Sequence, residues 1–258
     1  QTCALPIWGI KMKIEFRELI SNGYTLRGLF SKPESEYKDL VVMLHGFTGH
    51  KNENGYLFKQ LTQTLTDNQI ATLRYDFMGS GESDGNFEDF TFFTELEDAK
   101  HIIEEAFRLN NNRKIILLGF SMGGAVASRI SLEMKEYITK LILLSPAGNI
   151  AKLIHGRFEN HFIDENGNID MGGYYMNIKM DKAFEGYDIY KDIETFELPV
   201  LIVQGGADQS VPPMYSKKYD ELYPNSEYVL IDGSEHCYTK VSYRKILNEK
   251  VMEFINKK

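Results

Sequence analysis

Short apolar runs alternate along this chain with longer stretches of helical spacing. The segments LVVMLHG (40–46), KIILLGF (114–120), KLILLSPA (140–147) and PVLIVQGG (199–206) are apolar at nearly every position. ATLRYDF (71–77) and YVLIDG (228–233) are shorter runs of the same kind. Runs apolar on both faces predict strands buried from both sides, as in a parallel sheet. Between them, residues 56–67, 95–109, 125–135, 214–223 and 241–255 carry apolar positions at helical spacing. At the start, two runs over 12–20 and 24–31 flank Ser-Asn-Gly, a hairpin signal. The regular alternation predicts an α/β fold with a mostly parallel central sheet and helices on both faces.

The alternation stops over residues 148–197. This segment shows no clean strand–helix unit and holds Phe158, Phe162, Tyr174, Tyr175, Tyr187 and Tyr190. Fifty residues without the main rhythm, following a strand end, are expected to form an inserted lid or substrate-binding subdomain. The core is then expected over 12–147 and 198–258. The opening QTCALPIW carries no charge, lacks the basic start of a secretory signal, and reads as translated sequencing adapter. Residues 1–11 are therefore expected to be a non-native leader, with the natural chain starting at Met12.

Composition narrows the partners. Of the 258 residues, 43% are hydrophobic, enough to bury a sizeable core. The formal net charge is −8 and the basic residues are dispersed, which argues against nucleic acid or an anionic membrane as the partner. No apolar run approaches the roughly 18 residues of a membrane span. With Cys3 in the leader, Cys237 is the only native cysteine, which fits a reducing, cytoplasmic setting.

The chemistry centres on GFSMGG (119–124), which follows one apolar run and precedes a helical pattern. Gly119-Phe120-Ser121-Met122-Gly123 fits the G-x-S-x-G nucleophile elbow, in which a sharp strand–helix turn exposes the serine. A helix N-cap serine would satisfy the same six residues, so partners decide. A serine hydroxyl needs a base. Among six histidines, His236 in DGSEHCY follows the last apolar run, where it could reach over the sheet. His101 falls in a helical pattern, His155 and His161 lie in the insertion, and His45 and His50 belong to the HGFTGH loop. Asp208, in QGGADQS after another run, is the candidate acid that orients the base. The order Ser121, Asp208, His236, each after a strand, is that of the α/β-hydrolase triad. HGFTGH follows the first long run and leaves the Phe47 N–H free. Together with the Met122 N–H it makes a candidate oxyanion hole. His45 is expected to brace that loop. GSGESDG (79–85) lacks dinucleotide and phosphate-loop spacing and is expected to be a tight loop beside the site. DENGNID (164–170) departs from a calcium loop and is expected to be a turn.

With those pieces placed, the chain from Met12 resembles the α/β-hydrolases, and within them the bacterial cinnamoyl (feruloyl) esterases. The resemblance rests on HGFTGH, RYDFMGSGESDGNFEDFT, GFSMGG, GGYYM, SKKYDELY and GSEHCY. It implies a serine carboxylesterase that cleaves ferulate, p-coumarate or caffeate esters through an acyl-enzyme. It also implies that the insertion binds the aromatic acid, with Tyr175 of GGYYM at the position that meets the phenolic hydroxyl. The chain departs from the family pattern at Phe120 and Gln204, where many relatives have His, with pocket shape expected to change more than chemistry. It also lacks a clear acidic partner early in the insertion. The alternative is a broad short-chain carboxylesterase or a monoacylglycerol lipase-like hydrolase. No metal or organic cofactor is expected. The expected partner is a small-molecule ester, with a homodimer left open.

Overall fold

The structure, a computed structural model, describes residues 12–257. Residues 1–11, expected from the sequence to be a leader, and Cys3 among them lie outside the described residues. An eight-stranded sheet runs in the order β1-β2-β4-β3-β5-β6-β9-β10. β1 (Met12–Ser21) and β2 (Tyr24–Pro33) form the expected hairpin, and β2 also pairs antiparallel with β4 (Ile70–Tyr75). From β4 outward through β3 (Asp39–Leu44), β5 (Ile115–Phe120), β6 (Ile138–Leu144), β9 (Val200–Gly205) and β10 (Ser226–Ile231) every pairing is parallel.

The continuous apolar runs have a direct cause. Successive residues of each central strand enter opposite cores. Leu40, Val42, Leu44, Leu117, Leu141, Leu143 and Ile202 face one core. Val41, Met43, Ile116, Leu118, Ile142, Leu144, Leu201 and Val203 face the other. The first core is covered by apolar residues of α2 (Phe92–Leu109), α3 (Met122–Glu133) and α6 (Pro213–Leu222). The second is covered by α1 (Leu57–Asp67) and α7 (Val241–Asn256). α2 starts three residues earlier than its apolar spacing predicts. Thr91 and Thr94 exchange side-chain-to-backbone hydrogen bonds as a capping box that fixes its N-terminus.

Between β6 and β9 the chain forms α4 (Ile150–Asn160), a short hairpin of β7 (Asn168–Asp170) and β8 (Tyr175–Asn177), and the single turn α5 (Lys179–Lys182). The sequence pattern predicts no helix here. The reason is that α4 buries only Ile150, Ile154 and Phe158, a stripe one residue wide and interrupted by Gly156. DENGNID supplies the turn before and into β7, with the Asp164 carboxylate accepting from the Asn166 and Asn168 N–H groups. Ile154, Phe158, Ile169, Met176 and Met180 are continuous with the first core, so the insertion shares its apolar interior. Among the described residues no helix is long and apolar enough to cross a membrane.

Two glycines set how closely α3 approaches the sheet. A Cβ on Gly119 would overlap the Gly123 carbonyl and the Ala127 side chain. One on Gly123 would overlap the Leu44 and His45 carbonyls. Gly119→Ala is expected to destabilise the fold by about 3 kcal/mol, at the upper end of overpacking costs because backbone must move. Urea unfolding of the two proteins checks this; an unchanged midpoint would show that the crossing has slack.

Candidate active site

Ser121 lies between β5 and α3 with φ 54° and ψ −119°. A left-handed φ is strained for serine and persists where surrounding contacts fix it. Here the Ser121 N–H donates to the Leu144 carbonyl, and its own carbonyl accepts from Gly124, Ala125 and Ala147. The side chain caps nothing, so the N-cap alternative does not apply. Its Oγ lies 2.9 Å from His236 Nε2. His236 Nδ1 lies 2.6 Å from Asp208 Oδ2. The three side chains thus come together across 115 residues of sequence.

Each partner is held by its own surroundings. Asp208 is buried, and its Oδ1 accepts from the Ser210 and Val211 N–H groups at 2.9 and 2.8 Å. Gln204 Nε2 donates to Oδ2 at 3.0 Å. Gln204 therefore lies behind the acid rather than in the pocket, which corrects the expectation that it shapes the pocket. Phe120 does face the site, its ring 4.9 Å from the His236 ring. With Asp208 Oδ2 as acceptor, His236 Nδ1 carries the hydrogen and Nε2 is free to accept from Ser121.

Phe47, on the loop after β3, lines the same cavity as Ser121, and Met122 follows Ser121 as the first residue of α3. Among the described residues neither backbone N–H meets an acceptor. The loop that carries Phe47 is held by buried polar groups that the sequence motifs leave unmarked. Glu53 Oε1 accepts the Gly46 N–H at 2.5 Å, and Oε2 accepts the Asn54 N–H at 2.8 Å. Asp76 accepts from both the Lys51 N–H and Nζ at 2.6 Å. Arg74 donates to the Lys51 carbonyl at 3.2 Å. Glu82 of the glycine-rich loop also accepts from Lys51 Nζ, which ties that loop to the site. Lys51, Glu53 and Asp76, scattered along the chain, form no recognisable spacing, and only their low solvent access in the fold reveals them.

His45 braces the same loop. Nδ1 donates to the Gly46 carbonyl at 2.9 Å and Nε2 accepts the Phe77 N–H at 3.1 Å, a neutral tautomer fully satisfied. Burial lowers its pKa, outweighing the nearby Glu53 and Asp76 charges.

A cavity of about 350 Å³ is lined by Gly46, Phe47, Glu53, Phe120, Ser121 and His236, with Cys237 at its edge. Thr48 and Gly49 carry it into a smaller recess with Gly79, Phe87 and Tyr174. Those last three in turn border a groove of about 570 Å³ that contains Tyr175, Asp170 and Glu88. Through these shared lining residues the three spaces follow one another as a trough from Ser121 to Tyr175. Tyr175 is 48% exposed and lies at the far end, outside the cavity of Ser121. Tyr174 is nearer, its ring 4.5 Å from that of Phe87. Asp170 and Glu88 are acids that the sequence reading missed, because they meet Tyr175 only across the β7–β8 hairpin and the loop before α2.

The sequence and the fold match known proteins. The chain belongs to the serine aminopeptidase S33 family of the α/β-hydrolases, whose model matches residues 35–164. Est1E from Butyrivibrio proteoclasticus, solved with ferulic acid bound, superposes with a TM-score of 0.80 at 27% identity. The match covers 93% of this chain and all of that one. The AB hydrolase superfamily protein YisY of Bacillus subtilis is 24% identical over 254 residues, covering 84% of this chain and 91% of that protein. The monoacylglycerol lipase abhd6-B of Xenopus laevis is 26% identical over 228 residues, covering 87% of this chain and 61% of that one. The protein is a hydrolase of this superfamily, with its mostly parallel sheet and flanking helices.

The His45 geometry predicts a pH effect on stability. An imidazole whose folded pKa is lowered contributes in full above its ordinary value of 6.5, and the contribution is lost as pH falls below it. Buried Glu95 and Asp98, raised by burial, act oppositely, their contribution being lost as pH rises. The difference between wild type and His45→Gln isolates the first effect. That difference in urea midpoint is expected to shrink between pH 7.5 and roughly 5.5. A difference independent of pH would contradict a neutral buried imidazole.

Proposed function

We propose that the protein is a serine carboxylesterase of hydroxycinnamate esters such as ferulate, p-coumarate and caffeate. The observation that carries the hydrolytic part is His236, bonded at once to Ser121 and to buried Asp208. The substrate class is supported by likeness over the whole fold to Est1E, which was solved with ferulic acid bound, and by the aromatic trough. Phe47, Phe87 and Tyr174 line it, the Phe87 ring 5.5 Å from that of Phe47 and 4.5 Å from that of Tyr174. A flat cinnamoyl group suits such a wall.

In this reading Ser121 Oγ attacks the ester carbonyl carbon while its proton passes to His236 Nε2. The carbonyl oxygen gains negative charge and is met by the Phe47 and Met122 N–H groups. Asp208 stabilises the imidazolium and holds its orientation. The C–O bond to the alcohol breaks, and the alcohol leaves with the proton from His236. Water, deprotonated by the same Nε2, then attacks the acyl-enzyme and frees the acid and Ser121. Residues 148–197 serve as the substrate-binding insertion. The ring hydroxyl of the acid sits at the outer end of the trough, within reach of Tyr175.

A second reading has one observation in its favour. Leu153, Phe162 and Ile163 of the insertion are exposed apolar residues, as a monoacylglycerol lipase-like enzyme would require for a greasy substrate. Rates on methyl ferulate, methyl p-coumarate, chlorogenate and a plain butyrate ester separate the two. The cinnamate esters are expected to give the higher kcat/KM, and a wide margin for butyrate would overturn the substrate class. Ser121→Ala is expected to lower kcat on the order of 10⁴-fold or more; a variant that kept most of its activity would overturn the mechanism. Glu53→Gln is expected to lower kcat about tenfold to a hundredfold with KM little changed, by loosening the loop that aims the Phe47 N–H. A rise in KM alone would assign Glu53 to binding instead.

A further inference from the structure

Arg157 stands apart from the other arginines. Among the described residues, each of the others donates to a carboxylate, carbonyl, amide or hydroxyl oxygen, as Arg17 does to Glu105, Arg129 to Tyr187 Oη and Arg244 to the Gly55 carbonyl. No such acceptor meets the Arg157 side chain. The carboxylates nearest it in sequence and across the insertion, Glu159 and Asp181, pair with His155. What the guanidinium does touch is a ring: its central carbon lies 5.5 Å from the centroid of Phe47.

That ring belongs to the candidate oxyanion-hole residue Phe47, which lines one cavity with Ser121. Arg157 extends from the last turn of α4, in the segment laid over the site. A half-buried cation with five unspent donors therefore sits one side chain away from the reacting centre. The cation–ring contact with Phe47 keeps the guanidinium near the cavity without using its N–H donors. The only carboxylate lining the cavity is Glu53, which is committed to the Gly46 and Asn54 N–H groups. On a chain of net charge −8, such a site concentrates anions locally against the general field.

We propose that Arg157 is a substrate-selecting residue that binds a carboxylate carried by the ester, through a paired guanidinium–carboxylate contact at the mouth of the site. The proposal rests on the hydrolase reading and narrows its substrate class to acidic esters. The carboxylate could belong to the alcohol, as in a cyclic hydroxy acid, or to the acyl group. The chemistry of recognition is the same for both.

The test uses matched ester pairs that differ in one carboxylate. Chlorogenate against its methyl ester, in which only the quinate carboxylate is capped and release of caffeate is read, places it on the alcohol. Methyl 4-carboxycinnamate against methyl cinnamate places it on the acyl group. 4-Nitrophenyl hemisuccinate against 4-nitrophenyl butyrate repeats the acyl comparison without an aromatic acid. Arg157→Gln is expected to lower kcat/KM for the acidic member of at least one pair about tenfold relative to its neutral partner. Arg157→Lys should restore part of that ratio, and Arg157→Glu should invert it. If every ratio stays at its wild-type value, the proposal fails. If acidic and neutral esters fall in parallel, Arg157 is only a latch between α4 and Phe47, and the proposal also fails. Preference for the aliphatic pair would remove the cinnamate reading alone, since the Arg157 ratio is still read on that pair.

Discussion

The close crossing of α3 over the ends of β3 and β5 is the constraint on which the site depends. Bare Cα positions at Gly119 and Gly123 bring the start of the helix against the Leu44 and His45 carbonyls. That approach turns the chain sharply enough to hold Ser121 at φ 54°. It also sets the first free N–H of α3 beside the loop that follows β3. The proposed nucleophile and both candidate oxyanion donors therefore share one piece of backbone geometry. Side chains add the proposed base and acid, but they cannot create the turn.

Around this crossing lies a ring of buried polar contacts. Glu53, Asp76, Lys51, Arg74 and His45 are all buried, and all act on the loop from 45 to 53. Buried charges are stabilised only when paired and hydrogen-bonded. Here the pairing gives the Phe47 loop a fixed position although no regular secondary structure runs through Phe47. Those contacts fix the loop through side chains.

Much of this was legible in the residues. Continuous apolar runs predicted a parallel sheet because each central strand faces two cores, and the hairpin followed from Asn-Gly. Ser121, Asp208 and His236 stand out as candidates because each follows a strand, and the structure brings their side chains within hydrogen-bond distance. What escaped was of two kinds. α4 has too narrow an apolar stripe to announce itself. The buried ring of Glu53, Lys51 and Asp76, and the Asp170 and Glu88 of the outer groove, have no spacing signal, because they are brought together by folding rather than by proximity in the chain. Gln204 was misjudged for a related reason: a strand-end residue can face the acid behind the site as readily as the pocket before it.

The three members of the proposed triad are not equally anchored. Ser121 follows a strand buried at every position, in the middle of the sheet. His236 follows β10, the edge strand, of which only Ile231 is fully buried. Edges open locally at lower free energy than centres do. Warming the protein would thus swing the base out of register while the nucleophile stayed in place. Such a molecule would still be folded by any global measure, yet silent, and on cooling it would regain its function without having to refold.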